Sequence, residues 1–281
     1  MITIARLTIG EAARRKILWV LIVLAVGAVT VTGWGVARLV DLAHENGARE
    51  AEVRLGVSQV LIFIAFMFSF VLAMTAAFLG SPAIANDLES GVVLAVFARP
   101  LRRSSYLLGR WLGLAAVLIA YAAGSGFLAI GVVFLVSGYT PPDPVLPVVF
   151  LAAQALVVLT LTVLLSTRLP PIGGGAVAVV AYGMAWMGGV LGGVGQALGA
   201  EGLAALANAS RFVLPTDGLW RGVVYGLEPP LVIFAAAGQP IAQGNPFFAS
   251  SPPPIGFIAW SAAWVVLVLG LAALSLRRRE L

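Results

Sequence analysis

Six apolar runs, each long enough to cross a lipid bilayer as a helix, constrain this chain more than any other feature. They are residues 17–37, 57–79, 106–136, 145–165, 172–198 and 255–276. The shortest hold 21 residues. A helix of that length rises ~31 Å, against a hydrocarbon core ~30 Å thick. The run at 106–136 exceeds that need, so it tilts or projects beyond the membrane. A transmembrane β-barrel would alternate apolar and polar residues, whereas these runs are continuous. Only 10% of the residues are charged and 60% are hydrophobic, against roughly 25% charged in a soluble domain. The expected fold is an all-α polytopic membrane protein with six transmembrane helices in one domain, residues 1–281.

Charge sorts by side. Both termini, residues 80–110 and residues 166–171 together hold twelve basic residues against four acids, a net +8. The remaining loops hold five basic residues against eight acids, a net −3. Positive charge gathers on the cytoplasmic side of membrane proteins, which puts both termini in the cytoplasm. The same bias accounts for a pI near 10.2 without a nucleic-acid partner. In residues 1–16, Ile2, Leu7 and Ile9 share a helical pattern with Arg6, Arg14, Arg15 and Lys16. That pattern predicts an amphipathic helix in the plane of the interface; a frayed basic terminus is the alternative. No small-residue cleavage site follows, so the first apolar run is expected to be retained.

Much chemistry is absent. Lys16 is the only lysine and lies at the membrane boundary, so the chain has no P-loop to grip a nucleotide. His44 is the only histidine and there are no cysteines, which removes thiol chemistry and a serine–histidine relay inside the spans. No ionisable residue falls in the middle of a span, which disfavours a self-powered carrier. The polar residues of the spans include Ser69, Thr75, Gln154, Thr160 and Thr162. They either line a pathway or bond helix to helix, and Gln154 is favoured as an interhelical hydrogen bond. Gly109 and Gly113 lie four apart, as do Gly188 and Gly192, Gly189 and Gly193, and Gly195 and Gly199. This spacing suits close helix contact.

Residues 199–254 join the fifth and sixth spans as an extracytoplasmic helical or re-entrant connection. Residues 203–214 and 217–227 read as two amphipathic helices broken at Pro215, with Trp220 and Tyr225 as interfacial anchors. Residues 231–237 are too short to cross and read as re-entrant or interfacial. The connection either caps a pathway or rests on the headgroups.

The stretch 86–110 is the polar interruption among the spans. Ser81-Pro82 is expected to stop the second span. Asp87 and Glu89 then suit the positive end of a new helix, and Val92, Val93, Val96 and Phe97 continue it for about three turns to Arg99-Pro100. Its apolar face either lies on the membrane or enters a partner's groove. The residues Glu89-Ser90-Gly91, Arg99-Pro100-Leu101-Arg102-Arg103 and Leu108-Gly109-Arg110 resemble the region between the second and third spans of ABC-2 type permeases, closest to the NosY-like branch. Val92-Val93 stands where that family more often has Thr-Leu. The in-plane helix, the span layout, the connection before the last span and the Arg-rich end extend the resemblance over nearly the whole chain, though only 89–110 is specific.

The resemblance implies an ABC-2, type V exporter-like permease fold. It implies a non-enzymatic membrane subunit of an ATP-binding cassette transporter in a bacterial or archaeal cytoplasmic membrane. ATP and Mg would be bound by a pair of partner ATPase subunits, and a second permease subunit, identical or not, would complete the assembly. The region 82–103 would carry the coupling helix, with Asn86, Asp87, Glu89, Gly91, Arg99, Arg102 and Arg103 as its ATPase-contact residues. Ser69, Thr75, Gln154, Thr160, Gly188 and Gly192 are the candidates for pathway lining or helix packing. Export is the commonest family mode; force transmission to an extracytoplasmic accessory protein is another. Sparse polar lining leans toward an amphipathic cargo. On the residues alone, a non-transporting anchor or assembly factor and a stand-alone carrier or channel stay open.

Overall fold

The computed structural model describes residues 1–14, 16–91, 102–236 and 245–279. The described residues form eleven helices: α1 (Ile2–Arg14), α2 (Lys16–Glu45), α3 (Glu50–Gly80), α4 (Pro82–Glu89), α5 (Arg103–Ser137), α6 (Leu146–Ser166), α7 (Pro171–Ala197), α8 (Glu201–Val213), α9 (Thr216–Leu227), α10 (Pro230–Ala236) and α11 (Ile255–Arg277). Six of them, α2, α3, α5, α6, α7 and α11, are long and apolar enough to cross a membrane. This matches the all-α, six-span fold expected from the apolar runs.

Helix α6 is the axis of the bundle and packs against α3, α5, α7, α9 and α11. It starts where Asp143 Oδ1 accepts the Val145 and Leu146 backbone N–H groups, each at 3.0 Å, supplying partners that a helix start otherwise lacks. Val158, Leu159 and Val163 of α6 are fully buried beside Leu72, Leu107 and Leu118. By contrast Val23, Leu24 and Val31 on α2 and Val180 and Met184 on α7 stay exposed. In lipid these outward side chains are solvated by acyl chains, so packing and hydrogen bonds hold the helices together.

Ser81-Pro82 does not stop the second span. Ser81 keeps right-handed helical angles (φ −60°, ψ −46°), and its N–H still reaches Ala77 O at 3.0 Å. Pro82, which has no N–H to lose, takes the first position of α4. Helical chain therefore runs from Glu50 to Glu89, 40 residues, or ~60 Å. That is about twice the hydrocarbon thickness, so its ends stand clear of the bilayer.

Both termini gather at one end of the bundle. α1 lies against the first turns of α5, and Arg103 at the start of α5 meets the end of α11. The connection before α11 lies at the opposite end, where Gly226 of α9 meets Leu146 and Pro147 at the start of α6.

Candidate functional site

At the termini end, Gly109 and Gly113 of α5 bring α1 in close. A Cβ on Gly113 would sit 2.6 Å from Thr8 Cβ and 2.7 Å from the Ala5 carbonyl oxygen. Thr8 and Ala12 of α1 are buried in this contact, while Ile2 and Leu7 remain exposed on its other face. The basic N-terminal helix is thus docked on a span and also keeps a lipid-facing apolar edge.

One turn along α5, Arg110 ties three helices together. Its Nη1 donates to Glu11 Oε2 on α1 and its Nη2 to Asp87 Oδ2 on α4. The Tyr106 hydroxyl donates to the same Asp87 oxygen, and Arg110 Nε reaches that hydroxyl at 3.4 Å. The Arg110 and Asp87 side chains are each only 16% exposed. A planar guanidinium can hold two carboxylates in fixed directions, which a lysine cannot. The cluster fixes the root of α4 relative to α1 and α5.

A second lock closes on the end of α11. Arg103 Nη1 donates to the carbonyls of Leu276 and Arg277, both at 3.2 Å, and of Arg279 at 2.9 Å. These carbonyls have no helical partner, and a cation suits the negative end of the helix. Arg168, in the α6–α7 turn, bonds Ser275 Oγ at 2.9 Å, and Arg279 Nη1 bonds Thr167 O at 2.6 Å.

The residues of the 82–103 region therefore separate by environment. Asn86, Glu89 and Arg102 are exposed. Asp87 and Arg103 are committed to contacts within the chain. Gly91 takes φ +71°, a left-handed conformation that ends α4 at low steric cost. This corrects the expectation of one three-turn helix starting near Asn86: α4 is already helical from Pro82 and stops at Glu89. Arg99 and the apolar positions 92–97 lie outside the described residues.

Midway through the bundle, Ser69 Oγ donates to Gln154 Oε1 at 2.6 Å and lies 2.9 Å from the Tyr182 hydroxyl. Gln154 Nε2 is 3.5 Å from that hydroxyl and 3.3 Å from Thr216 O. All three polar side chains are buried, and Gln154 bonds across helices to Ser69. Thr75 turns back on its own helix, to Val71 O at 2.7 Å. Thr160 accepts the Trp111 indole N–H at 2.9 Å. Gly188 and Gly192 face α8, and a Cβ at Gly192 would collide with Ala207 Cβ.

The Gln154–Thr216 contact carries more than packing. Gln154 is the ninth residue of α6, ~12 Å along the helix from its opposite-end start. Helices α8 and α9 therefore form a hairpin that dips to that depth, with Leu214 and Pro215 at its tip. An irregular turn inside a membrane needs every backbone group satisfied. The indole N–H groups of Trp260 and Trp264, one turn apart on α11, donate to Phe212 O at 3.1 Å and Val213 O at 2.8 Å. Leu214 N–H bonds Ser210 O at 2.9 Å. The α8–α9 hairpin falls within residues 199–254, the connection expected to be helical or re-entrant. Trp220 is not an interfacial anchor: it is 1% exposed, and its indole donates to Pro246 O at 2.8 Å. Phe66 meets Trp186, Trp220 and Phe247 in one aromatic cluster.

The hairpin also carries charge that the spans lack. Asp217, 3% exposed, accepts Arg211 Nε at 2.7 Å, and Arg221 Nε lies 3.9 Å from the same Asp217 oxygen. Gly189 of α7 leaves the space for Asp217, since a Cβ there would overlap the carboxylate. Sequence reasoning missed this cluster because each charge sits in a connection that reads as surface. The clue was the Gly188–Gly195 stripe, which had to face something close. At the end of α9, Glu228 is 1% exposed and its Oε2 accepts the Ala249 N–H at 3.1 Å. Burial pushes the Glu228 carboxyl up to about 7, partly offset by that hydrogen bond.

A family model described as ABC-2 family transporter protein matches residues 2–281. No individual curated protein matches the sequence.

Proposed function

The chain belongs to the ABC-2 family of transporter proteins, and on that premise we propose that it is the permease subunit on which a separate ATPase seats at the tip of α4. The carrying observation is the division of labour around Arg110. Asp87, Glu11 and Tyr106 are drawn inward onto one guanidinium, while Asn86, Glu89 and Arg102 project from the same end with exposed side chains. A tip that is polar outside and clamped at its root can pass a push from a soluble partner to α3, α5 and, through Arg103, α11. ATP and Mg belong to the partner in this reading. The positive charge excess supports a cytoplasmic position for this end, and the family resemblance supports a bacterial or archaeal membrane.

A second permease subunit has a candidate face on α7. Val177, Val180, Met184, Met187, Leu191 and Val194 recur at alternating three- and four-residue steps and are all exposed, the spacing of a helix seam. Export is the favoured direction, and the motif at 89–110 favours the NosY-like branch. The test is purification from native membranes. The complex is expected to hold two copies of this chain or one with a homologous permease, and an ATPase whose turnover falls several-fold with Glu89→Ala or Arg102→Ala. Isolation without an ATPase, with transport unchanged in both variants, would overturn the reading.

A further inference from the structure

At the end opposite the termini, α8, α9, residues 249–254 and the first two turns of α11 enclose a cleft of about 490 Å³. Its base holds two guanidiniums, Arg211 and Arg221, and its rim holds the exposed Ser250 and Ser251. Its wall is apolar: Phe257 lines it beside Trp260, which stacks on Phe212 at 4.1 Å between ring centres and 10° between planes. Charge in the cleft does not balance. Asp217 is the one acid in ion-pair contact with either arginine among the described residues, and it is bonded to Arg211. Arg221 makes only the long 3.9 Å approach, and its Nε is buried with no hydrogen-bond partner among the described residues. Glu228 is turned onto the Ala249 backbone and forms no ion pair with these arginines.

Arg221, with its side chain 22% exposed and its one ion pair long, is incompletely neutralised, which is costly in a membrane, and an anion supplied by a ligand would complete the site. Position narrows the class. Phe257 and Trp260 lie within ~9 Å of the start of α11, at the depth where headgroups meet acyl chains, and tryptophan suits that boundary. We propose that this cleft binds the phosphodiester headgroup of an anionic amphiphile, with Arg221 as the principal anion contact, Arg211 beside it, and the Phe212–Trp260–Phe257 wall against the first part of the chain. The site stands on this geometry and not on the ATPase partnership.

The chain contains no cysteine, so Ser251→Cys introduces a single thiol for a polarity-sensitive fluorophore at the rim. The labelled full chain in neutral detergent is titrated with phosphatidylglycerol, with phosphatidylcholine of the same acyl chains, and with inorganic phosphate. The expected result is saturable binding of phosphatidylglycerol at least tenfold tighter than of the other two. Arg221→Gln should weaken it at least tenfold, and Arg221→Lys should restore part of the loss. Ser250→Trp fills the exposed rim without touching the hairpin's hydrogen bonds and should also block binding, which guards against misfolding of the arginine variants. Equal affinity for the two lipids, or binding unchanged by both Arg221→Gln and Ser250→Trp, overturns the proposal. Inorganic phosphate binding as tightly as phosphatidylglycerol overturns its amphiphile part and leaves a soluble-anion site.

Discussion

Gln154 donates its side-chain amide to the backbone carbonyl of Thr216 at 3.3 Å, joining the central span to the tip of a hairpin 62 residues further along the chain. Gln154→Leu keeps the volume but leaves the Thr216 carbonyl and the Ser69 hydroxyl without that partner. Hydrogen bonds between membrane helices are worth ~0.6–2 kcal/mol, so a loss of that size is expected in reversible unfolding from mixed micelles. Amide exchange at residues 214–218 should rise in the same variant. No change in either would mean that the hairpin is held elsewhere.

The α7–α8 contact is set by missing side chains. Gly192→Leu must push Ala207 away, and overpacking of this kind costs roughly 1–3 kcal/mol or more. Gly183 lies on the same helix, where an added Cβ would meet nothing within 4 Å, and should accept leucine with little effect. Thermal denaturation of the two variants in detergent compares them directly; equal loss would contradict the close approach.

Glu228 makes stability depend on pH. Its carboxyl is raised from 4.5 to about 7 in the folded chain, so the fold holds the proton more tightly than the unfolded chain does. The favourable contribution is full below pH ~4.5 and is lost as pH rises through about 7, with a slope of at most ~1.4 kcal/mol per pH unit. Between pH 5 and pH 8 the parent protein should therefore lose stability relative to Glu228→Gln. Parallel stability curves for the two would remove this role.

Arg110 and Asp87 should be energetically coupled. Each side chain is 16% exposed, so the pair is shielded more than a surface salt bridge. A double-mutant cycle with Arg110→Gln and Asp87→Asn is expected to give about 1–3 kcal/mol, the range for hydrogen bonds to charged groups. A coupling near zero would mean that α4 is held by packing alone.

What could be read in the sequence follows physical range. The spans were legible because a run of apolar residues reports its own environment, and Gln154 stood out because an amide in such a run needs a partner. The glycines at four-residue spacing announced close contacts but not with which helix. Ser81-Pro82 misled because a proline is tolerated at the first position of a helix as readily as after the last. Arg211 and Asp217 read as surface charges because they pair only across the hairpin tip. Trp220 read as interfacial because its hydrogen-bond partner, Pro246 O, lies 26 residues away. Asp87 and Arg103 carried the same ambiguity: their charge is visible in the sequence, but only the fold shows that it is spent within the chain.

The central claim is that an ATPase sits at the α4 tip, and a single thiol tests it most directly. Glu89→Cys and, as the opposite-end control, Ser251→Cys are each labelled with a photoactivatable cross-linker in membranes containing the partner ATPase. The account predicts an adduct between this chain and the ATPase from position 89, changing in yield when ATP is added, and none from position 251. An adduct from position 251, or none from position 89 while the assembled complex hydrolyses ATP normally, would contradict it.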